Sequence, residues 1–175
     1  MKKYSIVIIS LLLVYFISSP VFSQVKIGYI DSKKIIDNMQ EARDAKQKLD
    51  NLVSQWQTEL ATLQDSLKKM KDDYDKKKLI LTDQYREQLE KNISTLETSI
   101  SNFKTQKFGE NGEYFQKQME FMRPVQDRIF KAIETVATKE NYDFVFDRNS
   151  DILLLYVNEK YDLTLKVQKA IEGKY

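Results

Sequence analysis

The sequence predicts a mainly α-helical protein with a small β part, in which a long antiparallel helical hairpin of coiled-coil type projects from a small sheet. Three observations predict it. Apolar residues keep an unbroken 4-3 spacing through Leu49, Val53, Trp56, Leu60, Leu63, Leu67, Met70 and Tyr74, and a 3.5-residue period marks coiled-coil packing. A second 4-3 series runs through Leu89, Ile93, Leu96, Ile100 and Phe103. Only four Gly and two Pro occur in 175 residues, too few for a turn-rich fold.

Residues 1–23 read as a secretory signal peptide, to be set aside before the fold is considered. Lys2 and Lys3 make a short basic start, Ile6 to Ile17 is apolar apart from Ser10, and Ser23 is a small residue before Gln24. Cleavage is expected after Ser23. An uncleaved anchor is the alternative, but this run rises only about 18 Å against a hydrocarbon core of about 30 Å. No second run of spanning length follows, so no stable membrane insertion is expected after cleavage. The segment holds two of the 28 basic residues and none of the 26 acidic ones, which leaves the rest of the chain neutral by count. A net basic surface for nucleic acid or anionic lipid is therefore not expected.

Residues 24–32 read as the first strand of the body, with Val25, Ile27 and Tyr29 on one face and Asp31 and Ser32 as helix caps,. A helix then runs from Lys33 to Lys77, carrying the first seam. It cannot cover its own apolar stripe and needs a partner helix. Leu79-Ile80-Leu81 falls outside the heptad phase, and Thr82-Asp83 offers a fresh cap,. The simplest arrangement is a hairpin over 33–140 with its tip near 76–82; a continuous helix of about 100 residues in an intermolecular coil is the alternative.

The second arm slips in phase. Ile93, Ile100 and Lys107 share one heptad position, whereas the next series is Phe115, Met122, Ile129 and Val136. Gly109 and Gly112 sit at the slip, and Gly costs up to about 1 kcal/mol against Ala within a helix. They are the candidate hinge, with Pro124 as a second bend position. Residues 141–175 then complete the body. Tyr142 to Asp147 alternates as a half-buried strand, and Ile152 to Val157 is apolar on both faces, as in a strand covered on both sides,. Asp162 or Thr164 caps a terminal helix. Three strands and a short helix bury little by themselves, so oligomerisation through this sheet is expected.

Histidine and cysteine are both absent. That removes the commonest general base and metal ligand, and any disulfide framework. Nucleophile–base pairs, phosphate-cradling glycine loops and zinc spacings are missing as well. Acid pairs such as Asp72-Asp73 lie among Lys68, Lys69, Lys71 and Lys76 to Lys78, as on a solvated charged helix,. No catalytic residue, metal or cofactor is expected, and the protein is not read as an enzyme.

From Lys26-Ile27-Gly28-Tyr29-Ile30-Asp31-Ser32, through the hairpin and Tyr142-Asp143-Phe144-Val145-Phe146-Asp147, to Asp162-Leu163-Thr164 ahead of Val167, the chain resembles the Skp/OmpH family of periplasmic chaperones over nearly its full length. The resemblance implies a homotrimer whose strands form a small β-barrel body, with helical tentacles enclosing a cavity. It further implies an ATP-independent periplasmic holdase for unfolded outer-membrane proteins. The best-known members are markedly basic, whereas this chain without its leader is neutral, so apolar contact should dominate capture. A structural or adaptor coiled coil of the cell envelope is the alternative, although a spacer should keep regular heptads where this seam slips.

The candidate client-contacting residues are Tyr74, Lys76, Lys77, Lys78, Leu79, Leu81 and Tyr85 at the tip, with Phe108 and Phe121 off the seam. The candidate trimer-body core is Ile27, Tyr29, Phe144, Phe146, Leu153 and Leu155.

Overall fold

A computed structural model of the protein describes residues 24–152 and 154–175. The expected signal peptide and Leu153 lie outside the described residues. Strand β1 (Ile27–Ile30) leads directly into helix α1 (Ser32–Asn38). Asp31 caps that helix, accepting from the Lys34 amide at 3.0 Å and from the Asn149 side chain at 2.7 Å. These donors, the Lys34 amide foremost, hold the buried Asp31 carboxyl below its ordinary range,.

The chain then breaks at Met39, whose backbone is extended at φ −82° and ψ 128°, and resumes as α2 (Gln40–Lys77). The expectation of one helix from Lys33 to Lys77 is thereby corrected. Helix α1 packs on the C-terminal helix of the body, while α2 packs along the returning arm of the hairpin. One straight rod cannot follow both directions.

The 38 residues of α2 rise about 57 Å. After a turn, α3 (Asp83–Phe108) and α4 (Glu113–Glu140) run back along it. The seam is visible in burial. Leu49 and Trp56 are buried, and Val53, Leu60, Leu63, Leu67, Met70 and Tyr74 are half-buried between exposed neighbours. Helix α3 answers with half-buried Leu89, Ile93, Leu96 and Phe103 and buried Ile100. The distal hairpin is therefore a two-helix layer one side chain deep.

Between α3 and α4 the helix stops at Phe108. Gly112 N donates to Gly109 O at 2.9 Å and Asn111 takes a left-handed φ of 59°. A Cβ on Gly109 would sit 2.4 Å from the Thr105 carbonyl oxygen, so this exit from the helix needs glycine. Helix α4 starts in a new phase: Glu113, Lys117 and Phe121 form its inner row. Phe115, expected on the seam, falls on the outer face instead. Helix α4 continues unbroken through Pro124.

Strand β2 (Phe144–Asp147) pairs in parallel with β1, placing Ile27 opposite Phe144 and Tyr29 opposite Phe146. On β1's other edge Asp162 bridges to Tyr29. A 3-10 turn (Glu159–Tyr161) precedes α5 (Thr164–Ile171), whose first amide donates to the Asp162 carboxylate at 2.8 Å. The core lies at the hairpin base. It joins Ile30, Ile35, Met39, Ala42 and Ala45 to Val125, Ile129, Ala132 and Val136 and to Leu163 and Val167. Gly28 belongs to this face, since a Cβ there would meet Leu163 Cδ1 at 2.7 Å.

The expected strand Ile152–Val157 is not formed. Its described residues have no regular structure, and Leu155 is 88% exposed. The physical reason lies in the pairing: β1 already has neighbours on both edges, which leaves this segment no partner there.

Candidate functional site

Three exposed surfaces could contact another molecule. The first is the hairpin tip. Lys78 N bonds Tyr74 O at 2.8 Å and Ile80 N bonds Lys77 O at 2.9 Å, closing a tight turn. The turn projects Leu79, 91% exposed, and Ile80, 83% exposed. Across the hairpin the Tyr74 phenol donates to Glu90 and Lys71 pairs with Glu97. The bond to Glu90 pushes the Tyr74 phenol up. Lys68 pairs with Asp72 at 2.8 Å and Lys78 with Asp75 at 3.0 Å. Lys69, Lys76 and Lys77 form no ion pair among the described residues. Tyr74 and Leu81 are half-buried in this tip, while Lys76, Lys77, Lys78, Leu79 and Tyr85 are exposed.

The second surface follows the proximal arm. Phe108 is partly exposed and meets Trp56 edge-on. The Lys107 ammonium lies 5.1 Å from the Trp56 ring centre and 2.6 Å from the Glu113 carboxylate, tying the two sides of the break together. Phe121, proposed as a contact residue from sequence, packs half-buried against the core. In its place α4 turns Phe115, Met119 and Phe130 outward, 46%, 51% and 66% exposed. At 100° per residue these three fall within an arc of about 60° and span about 22 Å of helix. They form one apolar row. Sequence reasoning missed it because Phe115 was placed on the seam; the i, i+4 spacing of Phe115 and Met119 was the available signal.

The third surface is in the body. Ile27, Tyr29 and Phe146 line a groove of about 700 Å3 with Val25, Leu154 and Tyr156. They stand on the sheet face opposite Ile30 and Val145, which enter the chain's own core. Tyr29 is buried and Phe146 half-buried, while Ile27, Phe144 and Leu155 remain exposed. Beside the groove Glu140 accepts from Lys166 and from the Tyr175 phenol, both at 2.6 Å, and its carbonyl accepts from Lys26 at 2.6 Å. The Lys166 bond and then the Tyr175 bond hold the Glu140 carboxyl below its ordinary range. The same bond to Glu140, aided by burial, pushes the Tyr175 phenol up to about 12.

None of these surfaces assembles reactive chemistry. Among the described residues no group of three or more His, Cys, Asp or Glu is placed to hold a metal. No described helix is long and apolar enough to cross a membrane. What the arrangement offers is apolar area on a rigid frame, with charge concentrated at the tip.

Known proteins share this architecture. The crystal structure of "a putative outer membrane chaperone (OmpH-like)" from Caulobacter crescentus CB15 superimposes with a TM-score of 0.72, covering 87% of each chain at 14% identity. At that identity the likeness speaks for the fold alone. No curated protein matches the sequence. The model of the family described as outer membrane protein (OmpH-like) matches residues 26–171, from the first residues of the body through both arms of the hairpin to the end of α5. The chain therefore belongs to the OmpH-like outer membrane protein family, which is non-enzymatic.

Proposed function

We propose that this protein is an ATP-independent periplasmic holdase that binds unfolded outer-membrane proteins against the hairpins of a homotrimer. The observation that carries the reading is the outward row of Phe115, Met119 and Phe130 on a hairpin with no second layer over it. Such apolar area is costly to leave in water, and exposed patches of this kind mark interaction sites. Met and aromatic side chains adapt to varied partners, which suits a protein that must hold chains without a fixed shape. The OmpH-like fold, shared with a structure described as an outer membrane chaperone, supports the same reading.

The trimer is proposed for a separate reason. Ile27 and Phe144 expose apolar area on the sheet side facing away from the chain's own core, and Leu155 is exposed in the segment that follows β2. Strands of neighbouring copies closing over that side into a small barrel would bury it and give the 152–157 segment a pairing partner. Export, with cleavage after Ser23, places the protein where its clients cross the periplasm. An envelope spacer is disfavoured by the break at Gly109–Gly112, which interrupts the regular coil such a role needs.

Size-exclusion chromatography with light scattering, run with and without an unfolded outer-membrane protein, tests both parts. The reading requires a trimeric mass alone and a soluble complex with the client. A monomer that leaves the client to aggregate would contradict it.

A further inference from the structure

We propose that Met119 is an oxidation switch within the apolar row: a hydroperoxide converts its thioether to the sulfoxide and loosens client capture, and thiol-dependent reduction restores it. This rests on the reading of Phe115, Met119 and Phe130 as a client surface and adds the regulation of that surface.

The chain has no cysteine and five methionines, of which the structure describes Met39, Met70, Met119 and Met122. Oxidation at sulfur is therefore confined to thioethers. Their surroundings differ. Met39 is 5% exposed in the core at the hairpin base, and Met122 is half-buried against that core. Met70 is half-buried on the seam between the two arms. Met119 is the exposed one among these four, and its chain neighbours Gln118 and Glu120 are exposed as well. Trp56, another readily oxidised side chain, is buried. Because susceptibility follows access, an oxidant meets Met119 first.

The place of that sulfur gives the reaction a consequence. Met119 lies about 6 Å along α4 from Phe115 and about 16 Å before Phe130, so it occupies the interior of the row. In the reaction the Sδ lone pair attacks one oxygen of the hydroperoxide, the O–O bond breaks and an S–O bond forms. With hydrogen peroxide the other oxygen leaves as water. Sulfur is oxidised by two electrons and the peroxide is reduced by two. The product is a polar, chiral group that brings a strong acceptor into apolar area. Covering that acceptor with an apolar client segment that offers no donor weakens binding. In the reverse step a dithiol removes the oxygen as water and becomes a disulfide. Neither step touches the core, so capture changes while the fold persists.

The test treats the full protein briefly with dilute hydrogen peroxide and follows each methionine by peptide mapping in a mass spectrometer. Sulfoxide should form about fivefold faster at Met119 than at Met39, Met70 or Met122. Protein oxidised at Met119 should bind a labelled, unfolded outer-membrane protein about threefold to fivefold more weakly, with its melting curve unchanged. Methionine sulfoxide reductases for both epimers, supplied with a dithiol, should restore the affinity. Met119→Leu, compared with its own untreated affinity, should lose nothing on the same treatment. The neutral apolar dye phenylnaphthylamine, titrated in parallel, should follow the same pattern. Failure of the untreated protein to hold the client would contradict the holdase reading alone, and the dye titration would then decide the switch. Oxidation of Met39, Met70 or Met122 as fast as Met119, full binding by the sulfoxide form, or an equal loss in treated Met119→Leu would overturn the proposal.

Discussion

The indole of Trp56 and the ring of Phe108 meet edge-on, with centroids 5.8 Å apart and planes at 83°. Phe108 is the last residue of α3 and Trp56 is the only tryptophan of the chain. The contact therefore pins the returning arm to α2 at the point where that arm loses its helical backbone bonds. Trp56→Ala should destabilise the protein by about 3–5 kcal/mol, as expected for removing a buried aromatic side chain. Thermal unfolding followed by circular dichroism measures it. A change under about 1 kcal/mol would mean that the break is held by its backbone alone.

Burial separates the base from the tip. Ile35 is 0% exposed within the core, so Ile35→Ala should cost about 2–5 kcal/mol. Leu79→Ala should leave the melting curve within about 0.5 kcal/mol, as surface substitutions usually do. Similar losses from both would show that the tip turn packs against something in solution.

The Glu140 cluster gives the fold a pH dependence of definite sign. The Glu140 carboxyl is held below its ordinary value of 4.5. Its contribution is therefore present above that value and is lost as pH falls through the lower folded value. Asp31 and Asp147, also lowered, add to the same acid limb. At Asp147 hydrogen bonds from Ser32 and Asn149 together outweigh the opposing effect of burial. For Tyr175, raised to about 12, the stabilisation is complete below the ordinary value of 10 and disappears as pH climbs through about 12. Glu140→Gln should flatten the acid limb in denaturation series across pH and lower the neutral-pH stability by about 1–3 kcal/mol. An unchanged acid limb would place the sensitivity elsewhere.

The break at Gly109–Gly112 should open before the helices on either side of it. Amide hydrogen exchange is expected to be faster there than around Leu60 or Leu96. Uniform protection along both arms would remove the hinge.

Assembly should depend on the outer sheet face. Leu155→Asp or Ile27→Asp should dissociate the proposed trimer, because burying an unpaired charge costs several kcal/mol. Both side chains are exposed in the single chain, so the isolated fold should survive. A trimeric mass at micromolar concentration for either variant would contradict the sheet-closed assembly.

What the sequence disclosed follows from the range of the interactions concerned. The seam from Leu49 to Tyr74 was legible because a 3.5 period is written in neighbouring residues. The break at Gly109–Gly112 was legible because glycine carries a local cost. The interruption at Met39 was not: no Gly or Pro marks it, and it serves α1's packing on α5, far away in the chain. Likewise Gly28 gave no sign that its bare Cα admits Leu163, which is what makes the face bearing Ile30 the inner one. The clamp from Lys26 to Glu140 to Lys166 joins residues over a hundred positions apart, beyond any periodicity argument. The 152–157 segment was misread for a different reason: its apolar run matches a strand covered on both sides, but β1 already has neighbours on both edges.

Titration of a fluorescently labelled, unfolded outer-membrane protein against the assembled protein tests the central claim most directly. The comparison is between the native sequence and a variant combining Phe115→Ser, Met119→Ser and Phe130→Ser, each at low and high salt. Apolar capture by a chain that is neutral by count over residues 24–175 predicts only a few-fold weakening as salt rises from about 0.05 to about 0.5 M. The variant should bind about tenfold more weakly or worse, with its trimeric mass intact. A loss of about a hundred-fold with salt, with no loss in the variant, would contradict the account and give capture to charge.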